Sequence, residues 1–120
     1  MKDLLQAEVQ RFANTVTWSL DGWRAAWTTE KSLRQWTVVN IINALLVFAI
    51  HMTTGERALL LALGLLVLAA ELMNTALEEM VDWLTKDLDP RAKRAKDCGS
   101  AAVALTAIAG GVAWLVVLFG

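Results

Sequence analysis

Residues 58–83 read ALLLALGLLVLAAELMNTALEEMVDW, an apolar or glycine run from Ala58 to Ala70 that ends on a carboxylate, Glu71. An ionised side chain near the centre of a membrane helix costs about 2.5–3.5 kcal/mol on insertion scales, so an acid at this depth points to function. At 100° per residue, Glu71, Asn74, Glu78 and Asp82 are spaced by 3, 4 and 4 and share one narrow helix face, while Glu79 falls off it. The run before Glu71 covers about 20 Å of a hydrocarbon core about 30 Å thick. Glu71 is therefore expected inside the membrane and Glu78 near its surface. A polar row rising from hydrocarbon to water suits chemistry on a lipid head group or passage of a cation. A structural Glu71, protonated by its apolar surroundings and hydrogen-bonded to a neighbour, is the alternative.

The rest of the chain fits an all-α integral membrane protein. In 120 residues, 57% are hydrophobic and arranged in blocks too long for a globular core, which predicts one small membrane domain over 1–120. A net charge of -1 leaves no basic face to neutralise a phosphate backbone, which excludes nucleic acid as a partner. Cys98 has no second thiol for a disulfide or a metal and reads as a small buried residue. No cleavable signal precedes the first apolar block, so the spans themselves are expected to direct insertion.

Outward from Glu71 the pattern predicts one surface helix and three spans. From about 4 to 27, Leu5, Val9, Phe12, Val16, Leu20, Trp23 and Trp27 recur at steps of 4 and 3, interrupted too often by charge for a span. This amphipathic helix is expected in the membrane interface or against the bundle. Thr28 and Thr29 read as a break. A first span follows over about 33–52, with Asn40 and Asn43 as interhelical hydrogen-bonding residues. Residues 51–57 read as a polar turn in which His51 lacks metal partners, and the second span covers about 58–77. Asp89 followed by Pro90 has the form of an N-cap with Pro at the first helical position, opening a helix whose membrane part is about 99–119.

Charge sets the orientation. Lys2, Arg11, Arg24, Lys31 and Arg34 precede the first span, Arg57 alone lies in the first turn, and Lys86, Arg91, Lys93, Arg94 and Lys96 lie between the second and third spans. The positive-inside rule puts the N-terminus and the second loop in the cytoplasm and the C-terminus outside. The polar row then opens towards cytoplasmic nucleotides. Glu30, Arg34 and Gln35 at the start of the first span, and Arg94, Lys96 and Asp97 before the third, share that side and could be simple solvated helix ends. Together with Glu78 they also supply what phosphoryl transfer needs: carboxylates for Mg²⁺, cations for phosphate oxygens and a deeper base. No GxxxxGK[ST], HRD or DFG motif is present, which excludes a soluble-kinase fold.

The combination Arg24-Ala25-Ala26-Trp27, Glu30, Arg34-Gln35, Glu71-Leu-Met-Asn74-Thr-Ala-Leu-Glu78, Asp82 and Arg94-Ala-Lys96-Asp97-Cys-Gly-Ser100-Ala-Ala-Val103 resembles the prokaryotic diacylglycerol kinases, which include the undecaprenol kinases. The resemblance implies direct transfer of the ATP γ-phosphate to a lipid hydroxyl, with Mg²⁺ as cofactor and ATP as co-substrate. Glu71 would be the general base, assisted by Asn74, and Glu30 and Glu78 would hold the metal. Arg11, Trp18, Glu30, Glu78, Asp87, Leu88, Asp89, Lys96 and Asp97 would bind the nucleotide. Arg24, Ala25, Ala26, Trp27, Gln35, Glu71 and Ser100 would line the lipid site. The resemblance also implies a homotrimer with active sites shared between subunits, in the inner membrane of a bacterium. Trp36 stands where the family often has an acid, and no catalytic role is assigned to it. Diacylglycerol is the favoured acceptor and undecaprenol the alternative. A small oligomeric ion or proton carrier is the distant third reading, opposed by the absence of a polar side chain between Ala58 and Ala70.

Overall fold

Two short interruptions and one loop divide the chain into helices α1 (Lys2–Thr29), α2 (Lys31–Ala49), α3 (Thr54–Leu84) and α4 (Pro90–Phe119). The computed structural model describes all residues 1–120, and α2, α3 and α4 are each long and apolar enough to cross a membrane. The expected all-helical arrangement is observed, and the helix ends differ from expectation for local reasons. The Thr28 and Thr29 hydroxyls both donate to the Ala25 carbonyl at 2.9 Å and stay helical, so the break falls at Glu30 (φ -111°, ψ 105°).

At the turn between α2 and α3 the helix starts earlier than the sequence pattern suggested. Thr53 and Glu56 form a capping box: the Thr53 hydroxyl accepts from the Glu56 N–H at 3.2 Å, and the Glu56 carboxylate accepts from the Thr53 N–H at 3.0 Å. Gly55, Glu56 and Arg57 are thus the first turn of α3. Helix α2 in turn stops at Ala49, short of Met52. Arg57 closes this end, donating from Nε to the Val47 carbonyl at 3.1 Å and lying 5.5 Å from the centroid of the Phe48 ring. At the other end of α3, Asp89 caps α4 as expected, accepting from the Arg91 N–H at 2.7 Å with Pro90 in the first turn.

Only 9 of 120 residues are buried, far too few for a water-soluble globule of this length. Leu65, Leu66, Met73, Leu105, Ile108, Val112, Leu115 and Val116 are each more than half exposed, presenting the bundle's outer wall to lipid or to other chains. The inner seam holds Val47, Leu60 and Ala113 from three different helices. Asn43 joins the same three helices: its Nδ2 donates to the Leu60 carbonyl at 3.1 Å and its Oδ1 accepts from the Trp114 indole N–H at 2.8 Å. Replacing it with Val removes both bonds and leaves the indole unpaired. Intramembrane hydrogen bonds average about 0.6 kcal/mol and reach about 1.7, so Asn43→Val is expected to lower stability by about 1–2 kcal/mol, read as unfolding at lower SDS fraction. A midpoint unchanged from wild type would show that Asn43 does not tie the helices.

Two sequence expectations are corrected here. Asn40 does not bond across helices but donates back to the Trp36 carbonyl at 3.1 Å, because its amide oxygen is seated against Gly64 of α3. Cys98 is exposed, since the α4 register turns its neighbour Gly99, together with Val103, inward. Helix α1 buries only Ala26 and leaves Leu5, Val9, Phe12, Val16 and Leu20 exposed along one face. A bare apolar stripe on a charged helix is the pattern of an interfacial element.

Candidate functional site

The site is organised by one face of α3. Glu71 is 6% exposed, the sole buried charged residue of the chain. One turn on, the Asn74 Nδ2 donates to Glu78 Oε1 at 3.3 Å, so the amide and the carboxylate act as one unit. A further turn on, Asp82 accepts from the Lys96 ammonium at 2.5 Å across the gap to α4. The spacing of 3, 4 and 4 therefore becomes a continuous row from buried to exposed, with Glu30 brought alongside by the break between α1 and α2.

Glu30 is half-buried, and its carboxyl is held above the usual carboxylate range, first by desolvation and then by the nearby charges of Glu78 and Glu79. Crowded hard oxygen donors of one sign are what a divalent cation neutralises, so the donor set fits Mg²⁺. No group of three or more acidic, His or Cys side chains converges on one point. Magnesium typically keeps water and takes one or two carboxylates plus substrate phosphates, so two protein carboxylates suffice.

Beside this row, a cleft of about 580 Å³ opens between the end of α3, the loop and the start of α4, lined by Asp82, Lys86, Asp87, Leu88, Asp89, Lys93 and Lys96 among others. Its volume falls in the range of small-molecule sites. The cleft thus unites Lys96 with the loop residues Asp87, Leu88 and Asp89. Asp89 is held ionised below its ordinary range, chiefly by the Arg91 side chain, and is engaged in capping α4. Asp97 points to Lys93 at 2.5 Å, outside the lining of this cleft.

Arg24 and Trp27 meet in a shallow cleft of about 450 Å³ with Trp23, Thr28 and Thr37, where the rings of Trp23 and Trp27 stack with centroids 6.0 Å apart. Ala25 and Ala26 line a second groove, of about 610 Å³, with Leu72, Thr75, Ala76 and Glu79. Gln35 and Ser100 are exposed and line neither. Arg11 and Trp18 are exposed on α1; Trp18 lies about 18 Å along the axis from Glu30, and the one ion pair of Arg11 is with Glu8 of its own helix. Arg34 anchors the break, donating to the Trp27 carbonyl at 2.7 Å.

Two residues near the acids escaped the sequence reading. Glu79 is off the polar face of α3 but is reached by α1, whose packing side no periodicity in α3 reveals. Trp36 of α2 lies near the Glu71 carboxylate of α3, a proximity that only the crossing of the two helices produces.

An amphipathic helix, three helices long and apolar enough to cross a membrane, and an acidic row graded from buried to exposed define a small helical membrane protein. The chain belongs to the prokaryotic diacylglycerol kinase family, whose sequence profile matches residues 17–118. A diacylglycerol kinase of Pseudomonas aeruginosa is 40% identical over 117 residues, covering 96% of this chain and 94% of the relative. Diacylglycerol kinases of Haemophilus influenzae and Escherichia coli K12 are 34% and 31% identical over 88% and 91% of this chain, and 90% and 89% of their own lengths.

Proposed function

We propose that this chain is an ATP-dependent lipid kinase that phosphorylates the hydroxyl of diacylglycerol to give phosphatidic acid. The observation that carries this reading is the order along α3: a buried acid, then an amide-linked acid facing Glu30, then a cation-bearing cleft open to water. An acceptor alcohol that stays in the membrane meets Glu71, and a water-soluble triphosphate enters from the Lys96 side. Family membership and the names of the relatives support diacylglycerol as the acceptor.

In the proposed step the lipid hydroxyl oxygen attacks the γ-phosphorus. A new oxygen–phosphorus bond forms, the bond from the γ-phosphorus to the β–γ bridging oxygen breaks, and ADP leaves. Glu71 takes the hydroxyl proton, and Asn74 holds Glu78 in register beside it. Glu30 and Glu78 would hold Mg²⁺, which when bound would supply charge neutralisation for the phosphate oxygens. Lys96 steers and holds the nucleotide, aided by Asp97 and by Asp87, Leu88 and Asp89 of the loop. Arg24, Ala25, Ala26 and Trp27 bind the glycerolipid at the interface, with Gln35 and Ser100 on the same side. Catalysis of this kind rests on positioning and preorganised charge rather than on a covalent enzyme intermediate.

The distribution of Lys and Arg supports a cytoplasmic N-terminus and second loop in a bacterial inner membrane. A homotrimer is proposed with this reading: the exposed apolar walls of α3 and α4 need cover, and Arg11 and Trp18 would reach the nucleotide cleft of a neighbouring subunit rather than their own. The test is purified protein in mixed micelles offered MgATP with diacylglycerol and undecaprenol together. Phosphatidic acid is expected as the dominant product, and undecaprenyl phosphate as the dominant product would reassign the acceptor.

A further inference from the structure

We propose that Gly99 is a positioning residue for the site, acting through Asn74. The proposal rests on the reading of Glu78 as a metal ligand. Asn74 Oδ1 is the one buried side-chain polar atom of the chain without a hydrogen-bond partner. A Cβ added at Gly99 would collide with that same oxygen and come within 3.2 Å of Leu77 Cδ1. The oxygen therefore faces the Gly99 Cα–H across the contact of α3 and α4, a weak but directional contact that only a residue without a side chain permits. With Oδ1 seated there, the other end of the amide is fixed: Nδ2 points along α3 and donates to Glu78 Oε1 at 3.3 Å. The flipped amide would present its oxygen to the Glu78 carboxylate, where it is repelled. Gly99 thus selects the amide orientation that holds Glu78.

The same device recurs at Gly64, where an added Cβ would collide with Asn40 Oδ1. There the amide nitrogen donates to the Trp36 backbone carbonyl. Two neighbouring-helix glycines each seat an Asn oxygen, and only the Gly99 pair hands its donor to an acid of the site.

The test is a double-mutant cycle on the full-length protein in detergent, read by the affinity for Mn²⁺ in the presence of ADP, using EPR of free Mn²⁺. Gly99→Ala alone is expected to weaken Mn²⁺ binding about tenfold, as loss of a ligand-orienting partner does. In an Asn74→Ala background, which vacates the space, Gly99→Ala is expected to change affinity by less than about twofold. Equal losses in both backgrounds, or none in either, would overturn the positioning role. If Gly99→Ala does not fold, the double variant is expected to fold as Asn74→Ala does; failure of the double variant would show that the glycine serves helix packing alone. Glu78→Gln separates the two readings. Wild-type Mn²⁺ affinity in that variant would overturn the metal assignment, whereas a loss there with none in Gly99→Ala would overturn only the role of Gly99.

Discussion

Glu71→Gln is expected to lower turnover by about 10²–10⁴-fold, the usual contribution of a positioned general base, while MgATP affinity stays within about twofold of wild type. The substitution keeps the size and shape of the side chain, so the packing of α3 around this position is retained. What it removes is the ability to take a proton from an alcohol in a setting where water is scarce, since the side chain is 6% exposed. The proposed nucleotide cleft around Lys96 begins at Val81 and Asp82, about three helical turns further along α3. A variant with wild-type turnover would show that the hydroxyl proton goes to another group.

The second large effect is expected at Glu78. Glu78→Gln should raise the half-saturating Mg²⁺ concentration by at least the roughly 10–100-fold that loss of an outer-shell partner costs, with a smaller effect on the KM for diacylglycerol. Glu30 makes the same metal dependence sensitive to pH. Its carboxyl is held above the ordinary range by desolvation and by Glu78 and Glu79, and a metal held by the proposed Glu30–Glu78 pair would bind the ionised form. As pH falls through that raised value, Mg²⁺ must displace a proton, so half-saturation rises by up to about tenfold per pH unit; above it the dependence flattens. Titrations of initial rate against Mg²⁺ at several pH values check both statements. A Glu78→Gln curve superimposed on wild type would remove that residue from the metal site.

The helices and the polar row were legible in the sequence because both depend on short-range periodicity. The apolar run before Glu71 and the Asp89–Pro90 start of α4 are local signals, and the structure follows them. The turn between α2 and α3 was read too long because two reciprocal hydrogen bonds, Thr53 with Glu56, outweigh its polar composition. Cys98 was misplaced because its facing depends on the rotation of α4 about Gly99, which composition does not set. Of the candidate site, the residues sharing α3 and those of the following loop come together as their spacing implies. The proximity of Glu79 to Glu30 and of Trp36 to Glu71 arises from helix crossings, and such contacts carry no signature in a single chain's sequence. Gln35 and Ser100 stay exposed and line neither lipid cleft, because a motif fixes which residues are present and not which cleft they line.

That a carboxylate held beneath the head groups takes the proton from the lipid alcohol is tested most directly by a single-turnover chase. Enzyme preloaded with labelled MgATP is mixed with diacylglycerol micelles, and labelled phosphatidic acid is followed in time for wild type and Glu71→Gln. Wild type should transfer its bound phosphate in one rapid phase while Glu71→Gln retains intact nucleotide over the same interval, at least about 10²-fold slower. Equal phases for the two proteins would place the proton acceptor somewhere other than Glu71.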